Sequence, residues 1–204
     1  MVESLEQAWE LNQKGRNNII IGGNLWLKMG RRNIINAIDL SSLGLDKIEE
    51  DEGGFRIGCM ATLHDIETHE GLNKEFQNLF KEAVRHIVGV QFRNCATIGG
   101  SIFPKLGFSD VLTAFLACDT QVILYKKGEV PLREFIYIPT DNDILTHLYV
   151  KKDGRKTAYE SFRMTETDFP TITCAMAKTQ DGFETVLGAR PKHAEVVVDE
   201  VVDR

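Results

Sequence analysis

No stretch of this 204-residue sequence reaches the run of roughly 18 apolar residues that a membrane-spanning helix needs. The first residues, MVESLEQAW, lack the positive segment and apolar core of a secretory leader. Basic charge is in deficit. Lys and Arg number 24 against 30 Asp and Glu, a formal charge of −6 that gives no footprint for nucleic acid. The four cysteines, Cys59, Cys95, Cys118 and Cys174, are scattered without CxxC spacing and frame neither a zinc nor an iron–sulfur site. With no export signal they read as reduced thiols, and the expected compartment is the cytoplasm. Internal repeats and low-complexity segments are absent too. What remains is a chain long enough to bury a core as one domain or two small ones.

The chain is organised around residues 91–119, QFRNCATIGGSIFPKLGFSDVLTAFLACD. A turn, Thr97-Ile98-Gly99-Gly100-Ser101, leads into a Pro/Gly loop and then an apolar helix that opens at Ser109-Asp110. Adjacent glycines let backbone N–H groups approach a bulky ligand that a Cβ would hold off. Successive N–H groups in such a turn make a concave anion site. A second pair, Gly22-Gly23, leaves the β-branched residues 19–21, which read as a buried strand. One such turn is equally compatible with an ordinary strand-to-helix connection. Two of them point to a dinucleotide held from two sides.

Ser4-Leu5-Glu6-Gln7 has capping-box form and predicts a helix to about Lys14, stopped by Gly15. Strands at 18–21 and 34–40, with a short helix at 25–29 between them, make a small α/β unit that ends at the polar, glycine-rich residues 51–54. Residues 55–59 read as a strand, and Thr62 with Asp65 caps a short helix. Leu72, Phe76, Leu79, Phe80, Ala83, Val84 and Ile87 recur at spacings of three and four, predicting a helix that Gly89 stops. Another helix is expected over 109–118. Turn signals at Lys127-Gly128, Asp153-Gly154 and Asp181-Gly182 predict three hairpins and an antiparallel sheet. The fold class is therefore α+β, divided as 1–54 (α/β), 55–165 (a larger α+β unit) and 166–204.

Four segments, in order, resemble the FAD-binding subunit or domain of the molybdenum hydroxylases, the family of xanthine dehydrogenase and carbon monoxide dehydrogenase. They are Gly22-Gly23-Asn24, then Arg56-Ile57-Gly58-Cys59-Met60-Ala61-Thr62-Leu63, then Gln91 through Asp110, then Leu187-Gly188-Ala189-Arg190-Pro191. The resemblance implies a two-subdomain FAD-binding fold with FAD between a small α/β and a larger α+β subdomain. It also implies a C-terminal domain, much of which is expected to be absent here.

By resemblance, the N–H groups of Ile98 to Ser101 and the Thr97 hydroxyl, next to Ala96, hold the FAD pyrophosphate. Ile21, Gly22, Gly23, Asn24, Leu25 and Trp26 supply the second set of contacts. Asp110 accepts from a ribose, and Leu145 and Arg163 lie against the flavin, where a cation stabilises the reduced, anionic ring. The family has Asn at Ser101, and Thr and an acidic or small residue at Asn24 and Leu25. The plainer alternatives are a helix-start acid for Asp110 and a solvated surface arginine for Arg163. His64, Asp65, Glu67 and His69 do not share one helical face, so no metal site is expected. Trp9 and the cysteines read as packing residues, as does Trp26 on composition alone.

The implied function is electron transfer through non-covalent FAD. The molybdenum cofactor and 2Fe-2S clusters then belong to partner chains, a molybdopterin-binding subunit and an iron–sulfur subunit, with NAD or another acceptor taking the electrons. No Ser-His-Asp or Cys-His arrangement is visible, and no catalytic residue is assigned. A flavin-free scaffold protein and a stand-alone flavin reductase are the rival readings.

Overall fold

A computed structural model describes residues 1–190 and 192–197; Pro191 of the fourth motif and residues 198–204 of the expected last segment lie outside them. Helix α1 (Leu5–Gln13) starts where the Ser4 side chain accepts from the Gln7 amide at 3.1 Å. Gln7 returns to the Glu3 amide at 2.7 Å, one residue earlier than the capping-box pattern predicts. Strand β1 (Asn18–Ile21) runs parallel to β2 (Asn36–Asp39), with helix α2 (Leu25–Met29) in the connection.

The next strands are β3 (Ile48–Glu50), β4 (Gly54–Gly58), β5 (Thr120–Leu124), β6 (Gly128–Pro131) and β7 (Leu145–Lys151). They form one antiparallel sheet in the order β3-β4-β7-β5-β6. Between β4 and β5 lie helices α3 (Leu63–Thr68), α4 (Glu70–Glu75), α5 (Leu79–Val84), α6 (Val90–Arg93), α7 (Ile98–Ile102) and α8 (Asp110–Leu116). A short α9 (Leu132–Phe135) follows β6. Strands β8 (Lys156–Arg163), β9 (Pro170–Thr179), β10 (Gly182–Gly188) and β11 (Glu195–Val197) form a second antiparallel sheet, ordered β11-β10-β9-β8. Among the described residues no helix is long and apolar enough to cross a membrane.

Helix α8 is buried along its whole length, as its run of Val111, Leu112, Ala114, Phe115 and Leu116 requires. It packs against α5, β9 and β10, and the Phe80 and Phe115 rings meet at 4.5 Å. The outer face of the second sheet is open, exposing Phe162, Ile172, Met176 and Phe183.

Two expectations need correcting. The stripe from Leu72 to Val84 is buried as predicted, but on two helices rather than one. Gln77 and Asn78 take left-handed backbone angles between α4 and α5. The Asn73 side chain braces that break, accepting from the Lys81 amide at 3.1 Å. The turn at Asp153-Gly154 also joins different partners from those expected. β7 pairs with β4 and β5, β8 pairs with β9, and the turn carries the chain from one sheet to the other. Arg155 pins this crossover, its buried guanidinium bonding the Asp153 carboxylate and the Ala117 carbonyl. β3 joins the sheet of β4, and β8 that of β9. We propose that the units divide between β2 and β3 and between β7 and β8.

Arg93 shows how the motif helices are fixed. It bonds Glu67 in bidentate fashion (Nε to Oε2 2.8 Å, Nη2 to Oε1 3.1 Å) and reaches the Ile87 carbonyl at 3.3 Å. Burial works against the Glu67 charge, but the Arg93 pair outweighs it and holds the carboxyl below its usual value. Arg93→Met should therefore cost about 3–5 kcal/mol in urea unfolding, because a part-buried carboxylate loses its partner. A depressed carboxyl stabilises above its unfolded pKa of about 4.3, and that contribution is lost as pH falls through the folded value. Glu67→Gln should accordingly flatten the acid side of the stability profile.

Candidate functional site

Beyond Ile21 the chain turns over the C-terminal ends of the parallel strands, where α/β units gather their ligands. Gly23 (φ +69°) and Asn24 (φ +56°) adopt consecutive left-handed conformations. A Cβ on Gly23 would overlap the Cys95 carbonyl, and one on Gly22 would lie 2.5 Å from Thr97 Oγ1. A Cβ on Gly100 would sit 3.2 Å from the Gly22 carbonyl. The two glycine turns thus pack directly on one another, forming a single wall rather than two opposed clamps. The amides of Gly22, Gly23 and Asn24 donate to no acceptor among the described residues.

The second turn is corrected in its details. Residues 98–102 coil into α7, capped by Thr97, whose Oγ1 accepts from the Gly100 amide at 3.1 Å. The Ile98 amide donates to Ala61 O at 2.9 Å, Gly99 to Cys59 O at 2.8 Å and Ser101 to Thr97 O at 3.1 Å. All four amides expected at the pyrophosphate therefore have acceptors within the protein. The 56–63 motif, which runs alongside, takes the first two, and Thr97 takes those of Gly100 and Ser101. Leu63 N donates to Ala96 O at 2.9 Å, and Thr62 bridges to Thr97. The glycines here serve close packing, Gly99 against Cys59 and Gly100 against Gly22.

In front of this wall lies a cleft of about 720 Å³, within the roughly 300–1,000 Å³ of cofactor sites. Ile21, Gly22, Asn24, Leu25 and Trp26 line it, as do Ala96, Thr97, Gly99, Gly100, Ser101, Asp110, Leu145 and Arg163. Gly23 and Ile98 stand behind the wall, the first against Cys95 and the second fully buried. Arg16, Phe108, Asn142 and Phe169 also reach the cleft. The loops holding Asn142 and Phe169 follow no periodic pattern, so the sequence carried no signal for them. Phe108 sits inside the long motif and read only as packing.

Asp110 and Arg163, expected at the ribose and at the flavin, touch each other. Arg163 Nη2 bonds Asp110 Oδ1, and the Tyr159 hydroxyl donates to the same oxygen at 2.5 Å. Burial raises the Asp110 carboxyl above its ordinary value, with Tyr159 and Arg163 pulling back against it. Arg163 is not a surface residue. Its side chain is 7% exposed, Nη1 holds the Asp168 carbonyl at 2.6 Å, and Nε is buried without a partner.

Three other sequence features prove structural. His64 and Arg93 both engage Glu67, Asp65 closes the Thr62 capping box, and His69 accepts from the Leu72 amide at 3.1 Å. In the fourth motif a Cβ on Gly188 would overlap the Thr113 and Thr173 hydroxyls, which bond each other at 2.9 Å. The Arg190 carbonyl packs on Gly107, closing the loop ahead of α8.

A strand-end turn with three free amides, set beside a buried acid on a cofactor-sized cleft, defines a nucleotide-binding protein. The chain belongs to the family of FAD binding domains in molybdopterin dehydrogenase, which matches residues 1–150. It is 26% identical over 189 residues to YgfM, an uncharacterised protein of Escherichia coli K12, covering 91% of this chain and 71% of that one. It is 26% identical over 196 residues to the glyceraldehyde dehydrogenase medium chain of Sulfolobus acidocaldarius, covering 89% and 69%. Its fold matches a chain of carbon monoxide dehydrogenase from Hydrogenophaga pseudoflava with a TM-score of 0.82 at 22% identity, covering 96% and 75%.

Because the two turns touch, Gly22→Ala should force Thr97 away and cost FAD affinity about five- to 150-fold, in line with about 1–3 kcal/mol for overpacking. Flavin retained after gel filtration measures this, with near-ultraviolet circular dichroism to show folding. A folded Gly22→Ala protein with full flavin content would contradict the shared wall.

Proposed function

We propose that this chain is the FAD-binding electron-transfer subunit of a molybdenum-dependent hydroxylase or dehydrogenase. The observation that carries it is the row of free amides at Gly22, Gly23 and Asn24 beside a cleft of cofactor size that Gly22 and Asn24 line. Helix α2 adds support. Its Leu25, Trp26, Leu27 and Met29 are apolar, yet none is fully buried, which leaves apolar surface for a bound cofactor to cover.

FAD, when bound, supplies the redox chemistry; the chain supplies binding, orientation and electrostatics. The three amides would donate hydrogen bonds to its diphosphate. Asp110, fixed through Oδ1 by Tyr159 and Arg163, keeps Oδ2 for sugar hydroxyls. The buried Arg163 cation faces the same region and favours a negatively charged group there. The cofactor is held without a covalent tether, since no histidine lines the cleft among the described residues and Cys95 is not on its wall. Cys59 is on that wall, but burial pushes its thiol up to about 12, leaving too little thiolate to react.

With its cysteines scattered, the chain offers no cluster framework. Electrons are assigned to arrive from 2Fe-2S clusters on an iron–sulfur subunit, fed by a molybdopterin-binding subunit, and to leave to NAD or another acceptor. The medium-chain name of the Sulfolobus relative supports this assignment.

The purified chain should hold flavin that acid precipitation releases into the supernatant as FAD, not FMN. It should reduce an artificial dye slowly with NADH yet oxidise no purine or aldehyde until partner chains are added. Robust purine or aldehyde oxidation by this chain alone would overturn the subunit assignment. A colourless, folded protein that takes up no FAD would overturn the flavoprotein assignment.

A further inference from the structure

Trp26 is 42% exposed on a helix with no buried residue, and rings from three other segments surround it. Phe92 meets it edge-on (6.5 Å, 74°) and Phe108 is tilted against it (5.5 Å, 56°). Phe169 alone lies nearly flat on the indole, at 5.6 Å and 28°. Offset stacking of this kind is what a planar heterocycle adopts on an aromatic side chain. The pair is unlike a core contact, for Phe169 is itself 53% exposed.

Phe169 ends the connection between β8 and β9, which is anchored by the Arg163 bond to the Asp168 carbonyl and by a turn from Asp168 N to Thr165 O at 3.2 Å. No hydrogen bond joins this connection to α2 among the described residues. Ring contacts, to Trp26 and to Phe108 at 4.7 Å, thus close the cleft at this point. Trp26, Phe108 and Phe169 all line the cleft, and Trp26 is two residues from Asn24, so a ligand on the free amides passes the indole.

We propose that Trp26 is the stacking platform for a planar ring of the bound cofactor, and that Phe169 covers the same face until the ring displaces it, an inference that rests on the FAD assignment above. Ring and phenyl compete for one surface. The two aromatic residues therefore act on affinity with opposite signs. Loss of Trp26 removes the platform, whereas loss of Phe169 removes the competitor.

The test is titration of the flavin-stripped chain with FAD, followed by flavin fluorescence and by the visible absorption band. Trp26→Ala should weaken binding about tenfold or more and abolish the band shift that the indole imposes, while Trp26→Phe keeps most of the affinity. Phe169→Ala should bind FAD about two- to tenfold tighter, with faster association. Both positions are exposed, and near-ultraviolet circular dichroism confirms folding. Weaker binding by Phe169→Ala would make Phe169 part of a sandwich and overturn the competition. Unchanged affinity and spectrum in Trp26→Ala would overturn the platform while leaving the FAD assignment intact. A wild-type chain that takes up no FAD would overturn that assignment, and this one with it.

Discussion

The hydrogen bonding of residues 59–63 to residues 96–99 is the constraint on which the rest depends. It spends the α7 amides on Cys59 and Ala61 and thereby fixes where Thr97 stands. Thr97 and Gly100 then set how closely the Gly22 turn can approach. Only because those glycines lack side chains does the first turn reach the second at all. The amides left over are those of Gly22, Gly23 and Asn24, the first and last belonging to residues that line the cleft. Polar capacity used for architecture on one side leaves spare donors on the other.

The far side of the cleft follows the opposite logic. Asp110 starts a helix buried along its length, and its carboxylate is shared by Tyr159 and Arg163 from the second sheet. A charge pair so enclosed adds little net stability, but it holds both side chains in one geometry. That rigidity contrasts with α2, none of whose residues is fully buried. The cleft thus joins one stiff wall to one under-packed wall, a combination suited to taking in a large ligand.

Much of this was legible from sequence, where local chemistry decides local structure. The capping pairs Thr62/Asp65 and Ser109/Leu112 start their helices as their residue types require. Gly22-Gly23 announced its turn because glycine is needed there. The break at Gln77 and Asn78 was invisible, since neither residue is glycine and the apolar stripe continues across it. Asp153-Gly154 was a correct turn signal with the wrong consequence. A turn states that the chain reverses, whereas its strand partners depend on Arg155 reaching Ala117 and on β9 lying beside β8. The acceptors that take the Ile98 and Gly99 amides were hidden for the same reason, since they lie on another segment. The motifs identified the wall, and only the fold shows which of its amides are spare.

Direct contact between the two glycine turns has a consequence for the order of assembly. Gly22 and Gly100 lie far apart along the chain, and the β4–β7 pairing that supports the second turn is equally non-local. Such contacts form late, after the entropy of closing long loops has been met. The cleft therefore does not exist in partly folded chains, and each turn alone is an ordinary loop with no hold on a diphosphate. Cofactor capture becomes a readout of completed folding. Its binding free energy favours only the finished state by mass action, so a scarce cofactor leaves assembled chains less protected against unfolding.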